Sequence, residues 1–269
     1  MPQPETKKAL IVVRTYPTPA KNGAEVSCTA AITDKGEWLR LFPVPWRYLA
    51  QEHQFRRYQW VELTVEKASD PRPESYKLKQ NGIKILTEPL SPANEWKARR
   101  EIIDPLRTHC LCCLVRDRDA NKRPTLGLFR PRKIERLIIT PEEDANWTPA
   151  QIAILEQGHL FAEKPKQQLE KIPFKFQYKF FCNEDTCTGH TLACTDWEMA
   201  EAWRKWKAEY GDKWEEKFRQ RFEKDMIEKY DTHFFVGTVH AHPGTWIVVG
   251  LFYPPPIIQP CFTFSPSLP

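Results

Sequence analysis

Apolar positions fall into short, differently spaced runs that predict a strand-rich N-terminal half. "KALIVVRTYP" carries the continuous run Ala9–Val13, dominated by β-branched residues and stopped by Pro17, and predicts a first strand. "AEVSCTAAIT" and "WLRLFPVP" flank "DKGE", where Asp34 and Gly36 supply turn chemistry, so the three pieces predict a hairpin. "QWVELTVEKA" alternates Trp60, Glu62, Thr64 and Glu66 against Val61, Leu63 and Val65, the period of a half-buried strand. "NGIKILTE" adds a further strand. Together these segments predict a small closed antiparallel β structure with Pro-rich connections.

Helical and strand periods mix further on. "ANEWKARREIIDPLRT" predicts a helix ended by Pro105. "CLCCLVRDRD" and "TLGLFRPRKIERLIITPEE" read as strands around a "DANKRP" turn, with Cys110 and Cys112 on one face and no easy pairing among Cys110, Cys112 and Cys113. "TPAQIAILEQGHLF" reads as a helix with Thr148 as N-cap and Pro149 at its first position. In "PFKFQYKFF", Phe174, Phe176, Tyr178 and Phe180 alternate with Lys175, Gln177 and Lys179, which assigns the aromatic face to the core and the lysines to the outside. "DWEMAEAWRKWKAEY" runs as a helix to Gly211, and "DKWEEKFRQRFEKDMIEKY" restarts with Asp212 as cap and Trp214, Phe218, Phe222 and Met226 as a core stripe. "HFFVGTVHAHPGTWIVVGLFYPP" closes as a hairpin around "HAHPG", before a loosely ordered Pro-rich tail from Pro254.

The pattern predicts an α+β protein of two small antiparallel β-barrel-like modules, residues 1–140 and 141–269, with a helical insertion in the second. "GLFRP" at 127–131 returns as "GLFYP" at 250–254, an echo that fits two related β modules.

Composition narrows the chemistry. Gly is scarce at 10 residues and Pro abundant at 24, and neither GxxxxGK nor GxGxxG occurs, so the usual phosphate-cradling loops lose their main support. No apolar run reaches membrane-spanning length and the first is too short for a signal segment, which predicts a soluble, cytoplasmic protein without a membrane partner. In a reducing compartment the eight cysteines point to metal binding or burial rather than disulfides. Net charge is +5, and Arg116–Arg136 alone holds eight Lys/Arg against three acids, a surplus equal to that of the chain.

"CTAAITDKGEWLRLFPVPW", "YQWVELTVEKA", "TLGLFRPRKI" and "FKFQYKF…HTLACTDWE" resemble the layout of bacterial dual OB-fold domain proteins found with genome-conflict, defence and mobile-element systems. The resemblance implies two OB-like barrels and nucleic-acid binding.

"CNEDTCTGHTLAC" spaces Cys182, Cys187, His190 and Cys194 as C-x4-C-x2-H-x3-C. Soft thiolates and an imidazole brought together by a tight loop, with Gly189 relieving the turn, suit a structural zinc. Cys194 is the first choice of fourth ligand, with His240, His242 or Cys110 as distant substitutes. Nucleic acid, single-stranded by preference, would meet Trp38 and Arg40, Arg56 and Arg57 beside Tyr58, Arg130, Arg132 and Lys133, and Lys175 and Lys179. This reading has no catalytic centre. Its rivals are a metal-dependent nuclease using Asp196, Glu198 and His240, and a non-catalytic subunit whose aromatic surface docks a partner protein. Against the nuclease, Asp196 or Thr195 fits an N-cap and Glu198 a first helical turn.

Overall fold

Ala9–Val13 are each at most 1% exposed, because the strand that carries them is covered on both faces. The computed structural model describes residues 3–20, 23–121, 123–160 and 167–257. In it β1 (Glu5–Arg14) sends Ala9 and Ile11 into one core and Leu10, Val12 and Val13 into another. A continuous apolar run is what such a doubly covered strand requires.

The first core fills a closed barrel. After β1 come β2 (Thr18–Ala20), β3 (Gly23–Thr33), β4 (Trp38–Val44), β5 (Trp60–Lys67) and β6 (Ser75–Ile85). β3 and β4 form the expected hairpin, with Gly36 at φ 75° in its turn. Val61, Leu63 and Val65 point inward, fully buried, as their alternation requires. The ring closes in the order β1–β3–β4–β6–β5–β1. Every pairing is antiparallel except β4 with β6, where Arg40 lies opposite Ser75. This closed five-stranded barrel is OB-like.

Past α1 (Ala93–Ile103) and a short turn containing Pro105 lies the second module. It consists of β7 (Arg107–Thr108), α2 (Leu111–Asn121), β8 (Leu126–Phe129), β9 (Lys133–Pro141), α3 (Pro149–Leu160), β10 (Phe174–Phe181), β11 (His190–Ala193), α4 (Trp197–Tyr210), α5 (Trp214–Arg219), α6 (Asp225–Glu228), β12 (His233–Thr238) and β13 (Trp246–Phe252). Its strands repeat the first barrel's order. β8 and β9 act as one strand bent at Pro131, β10 and β11 follow antiparallel, and a parallel bridge from Cys194 to Val248 passes to β13. β13 pairs with β12, and β12 returns to β8. The helical insertion, α4 to α6 with a π turn at Gln220–Lys224, lies between the third and fourth strands of this second ring. Trp214, Phe218, Phe222 and Met226 are all buried against Phe176, Tyr178 and their neighbours. The protein is therefore α+β, built on two barrel-like modules with the helices inserted in the second.

Several sequence expectations change. Cys110–Asp119 is not a strand: Leu111 and Leu114 enter the core three residues apart, and the segment is helix α2. A boundary at 140/141 would cut β9 from its partner β10; strand pairing divides the modules between Leu106 and Arg107. Both copies of the pentapeptide echo lie in the second barrel, at β8 and β13, so they do not relate one module to the other. Asp212 does not cap α5; it pairs with Lys207 at 2.7 Å, and Lys213 holds the cap position without a side-chain bond. Thr148 does cap α3, its Oγ1 accepting from the Gln151 N–H while Gln151 Oε1 accepts from the Thr148 N–H, a reciprocal capping box. The tail is docked at its start, where the Pro254 and Pro255 carbonyls accept from Asp231 N and Arg100 Nη2. Residues 258–269 lie outside the described residues. No helix among the described residues is long and apolar enough to cross a membrane.

Candidate metal centre

Four segments of the chain bring four ligand atoms together. β10 ends at Phe181 and delivers Cys182, the loop carries Cys187, and β11 opens on His190. Gly189 makes the turn at φ 98°, a conformation L residues avoid, and an added Cβ would lie 3.1 Å from the Phe181 ring. The fourth ligand arrives from the first turn of α2: Cys112, not Cys194. The sulfur and nitrogen atoms of Cys112, Cys182, Cys187 and His190 all lie within 4.8 Å of one another.

Cys112 Sγ is 3.4 Å from Cys182 Sγ and 3.3 Å from His190 Nε2, and Cys182 Sγ is 3.6 Å from the same nitrogen. A tetrahedron with metal–sulfur and metal–nitrogen bonds of ordinary length has edges of roughly 3.5–3.8 Å. The set could hold a metal ion, with no position left for a reacting water. The backbone N–H groups of Cys182 and Gly189 donate to Cys187 Sγ at 3.5 and 3.4 Å, the outer support that orients a thiolate ligand. Burial would raise the Cys187 thiol, but hydrogen bonds from these two N–H groups and from the Cys182 and Cys112 side chains together hold it below its usual range. Burial keeps His190 below the ordinary imidazole value, hence neutral and able to ligate. Burial and the adjoining Cys182 push Cys112 up to about 12, a cost that a divalent cation reverses by taking the place of the protons.

Cys194, the sequence-based choice, is buried in the core, and its backbone bridges to Val248. His242 is exposed at the tip of the β12–β13 hairpin, as is His240, whose Nδ1 lies 3.4 Å from Asp70. Cys110 is bonded to Cys113, contrary to the expectation that these neighbours do not pair. Cys112 escapes a spacing argument because it precedes Cys182 by 70 residues, in a segment whose pattern reads as a strand. Three cysteines packed into "CLCC" were the available signal.

The carboxylates of the nuclease alternative have other occupations. Asp196 is 4% exposed and caps α4, its Oδ1 accepting from Glu198 N at 2.7 Å while Oδ2 accepts from Leu251 N at 2.9 Å. Glu198 accepts from Tyr253 Oη at 2.8 Å and pairs with Arg57 at 3.1 Å. Burial pushes Asp196 up to about 6, with Arg57 opposing. A carboxyl whose pKa is higher in the folded chain than its ordinary 3.8 favours folding as pH falls through the window between those values. Asp196→Asn keeps the cap and lacks that dependence, so wild-type stability should gain on the variant as pH drops from about 7 to about 4. Asp196→Ala lacks the same dependence and also loses the cap, so it should cost about 1–2 kcal/mol more than Asp196→Asn. Urea denaturation across pH measures both; a wild-type advantage that shrinks on acidification contradicts this account.

The basic candidates divide sharply. Arg40 is 3% exposed and its Nη2 donates to the Thr125 carbonyl at 2.8 Å while pairing with Glu74. Arg57 is buried between the barrels, and Trp38 packs edge-on against Phe235 there. Arg40 and Arg57 are thus covered by protein, whereas Trp38 is half-buried. Arg56 is exposed and pairs with Glu88. Lys133, Lys175 and Lys179 share one face of a sheet, with Lys133 and Lys175 towards its opposite ends and Arg130 and Arg132 just before β9. In the sheet β9–β10–β11, Lys175, Gln177, Lys179 and Phe181 lie across from Thr140, Ile138, Arg136 and Lys133 on the face away from the core. Arg136, not singled out from the sequence, joins this strip. Glu135 is the acid within it, 2.9 Å from Lys179, and Arg130 pairs with Asp231 at 2.6 Å.

The architecture is that of a two-barrel protein with a Cys3His centre beside a basic sheet face. Residues 107–267 match the family described as domain of unknown function (DUF8757), and the chain belongs to that family. Residues 5–105 match a second, domain of unknown function (DUF8758). The two matches meet where strand pairing divides the modules. No curated protein matches the chain.

Proposed function

We propose that the protein binds single-stranded nucleic acid on the outer face of β9–β10–β11, and that a structural zinc at Cys112, Cys182, Cys187 and His190 holds this face in shape. Zinc is the cation suited to three thiolates and one imidazole in a closed tetrahedron. The observation that carries the reading is a link between the two features. Asn183, inside the ligand loop, donates from Nδ2 to the His109 carbonyl at 3.0 Å and to the Arg130 carbonyl at 3.2 Å. One amide thus ties the loop both to the approach to α2, which supplies Cys112, and to the bend from which Arg132 and Lys133 enter the basic strip.

Lys133, Arg136, Lys175 and Lys179 follow one face over two adjacent strands, a spacing of cations that suits a run of phosphates. Half-buried Phe181 at the end of the strip offers a ring edge to a base. Cationic contacts of this kind release condensed counterions, so affinity should fall linearly with the logarithm of salt. Replacing Arg132, Lys133 or Lys175 by Gln should flatten that slope by roughly 0.7 per residue on an oligonucleotide. Fluorescence anisotropy across a salt series reads the slopes. Binding at low salt that survives charge reversal at all three positions would sink the proposal.

A further inference from the structure

Cys110 and Cys113 are bonded to one another across the first turn of α2, and the metal set uses neither. Cys110 is fully buried and Cys113 half-buried. Glu184 Oε2 lies 3.3 Å from Cys110 Sγ and 3.4 Å from Cys113 Sγ. Arg116 Nη2 is 3.7 Å from Cys113 Sγ, and the Cys113 N–H donates to Cys110 Sγ at 3.0 Å.

Three features set this bond apart from a structural staple. It joins residues only three apart, and so short a loop restricts the unfolded chain little. The other described cysteines, Cys28, Cys112, Cys182, Cys187 and Cys194, are free, so the chain is not one of the disulfide scaffolds of oxidising compartments. The surroundings also suit the opened pair. A disulfide has no proton to offer the Glu184 carboxylate, whereas either thiol would donate to it at the distances observed.

We propose that Cys110 and Cys113 form a redox-active dithiol–disulfide couple that exchanges with small thiols of the glutathione class. The thiolate of the small thiol attacks the more accessible Cys113 Sγ; a mixed disulfide forms, the Cys110–Cys113 bond breaks, and Cys110 leaves as a thiolate that takes up a proton. The Cys113 N–H already directed at Cys110 Sγ stabilises the departing charge. A second small thiolate attacks the sulfur of the first, forming the small-molecule disulfide and releasing Cys113, which is protonated in turn. Two small thiols are oxidised and one protein disulfide is reduced, a two-electron exchange.

The test uses the full-length, zinc-loaded protein equilibrated in mixtures of reduced and oxidised glutathione, then quenched, alkylated and mapped by mass spectrometry. Cys110 and Cys113 should become alkylated together and reversibly as the mixture grows more reducing, while Cys112, Cys182 and Cys187 stay protected. In the Cys110→Ser protein, oxidised glutathione should leave one adduct on Cys113, whereas Cys113→Ser should trap far less on Cys110. Two results would overturn the proposal. One is a bond that stays closed in the folded protein at the most reducing mixture. The other is a reduced wild-type protein that takes up a second zinc at Cys110 and Cys113, which would make them ligands instead.

Discussion

Cys182→Ser should release the metal and unfold the second module under conditions where the wild type is fully folded. Cys182 is fully buried, and its sulfur sits close to two other ligand atoms, Cys112 Sγ and His190 Nε2. A serine hydroxyl there replaces a soft thiolate and leaves the remaining sulfurs facing one another without a cation. Zinc binding in small finger peptides is worth roughly 10–16 kcal/mol. This module has its own aromatic core, including Phe129, Phe180 and Phe234, so part of its fold is held independently of the ion. The loss expected here is therefore a fraction of that figure, still enough to dominate a domain with an ordinary margin of about 5–15 kcal/mol.

The loss should be local at first. The ligand set pins α2, the loop after β10 and the start of β11, and through Asn183 the bend before β9. Hydrogen exchange should rise across these segments in Cys182→Ser, and in wild type treated with a strong chelator, before the first barrel is affected. Elemental analysis should give one zinc per wild-type chain and none in the variant. Wild-type protein that is folded, metal-free and indifferent to chelator would remove the centre from the account. Because Asn183 couples the loop to the basic strip, oligonucleotide affinity should fall along with the metal.

Most of the strands were legible because each is covered in a way that leaves a period in the sequence. Val61, Leu63 and Val65 face a barrel interior and alternate; Ala9–Val13 is covered on both sides and does not. The aromatic face of β10 and the stripe Trp214, Phe218, Phe222 and Met226 pack against each other, so each predicts the other's burial. The failures share a cause. In "CLCCLVRDRD" the residue choice at Cys110, Cys112 and Cys113 answers to sulfur chemistry, leaving only Leu111 and Leu114 to report a helix. Cys194 stood at a plausible spacing from His190, yet its strand turns it into the core. Arg40 and Arg57 read as surface groups because sequence registers charge but not the second barrel that covers them.

Arg57→Ala is expected to cost about 3–5 kcal/mol, the usual penalty for removing one partner from a buried ionic cluster. Its guanidinium is 10% exposed and joins both modules. Nε donates to the Val12 carbonyl on the last part of β1 at 2.8 Å, and Nη2 donates to the Leu251 carbonyl on β13. Nη1 lies 3.6 Å from Asp196 and 3.1 Å from Glu198, at the start of α4. Truncation leaves the buried Asp196 and the exposed Glu198 without their cation and two carbonyls without a donor, while the cap on α4 remains. Lysine cannot substitute, since a single ammonium does not reach carbonyls and carboxylates lying in several directions; Arg57→Lys should recover less than half of the loss. The consequence reaches beyond the stability of either barrel. With the tie gone, the wild type's single cooperative urea transition should separate into two, the second module melting at lower denaturant than the first. Tryptophan fluorescence reports both, through Trp46 in the first module and Trp203 and Trp214 in the second. A variant that loses less than about 1 kcal/mol and keeps one transition would mean that the apolar contact of Leu10, Val12 and Ile32 with Leu128, Phe235 and Val249 couples the barrels without help from this arginine.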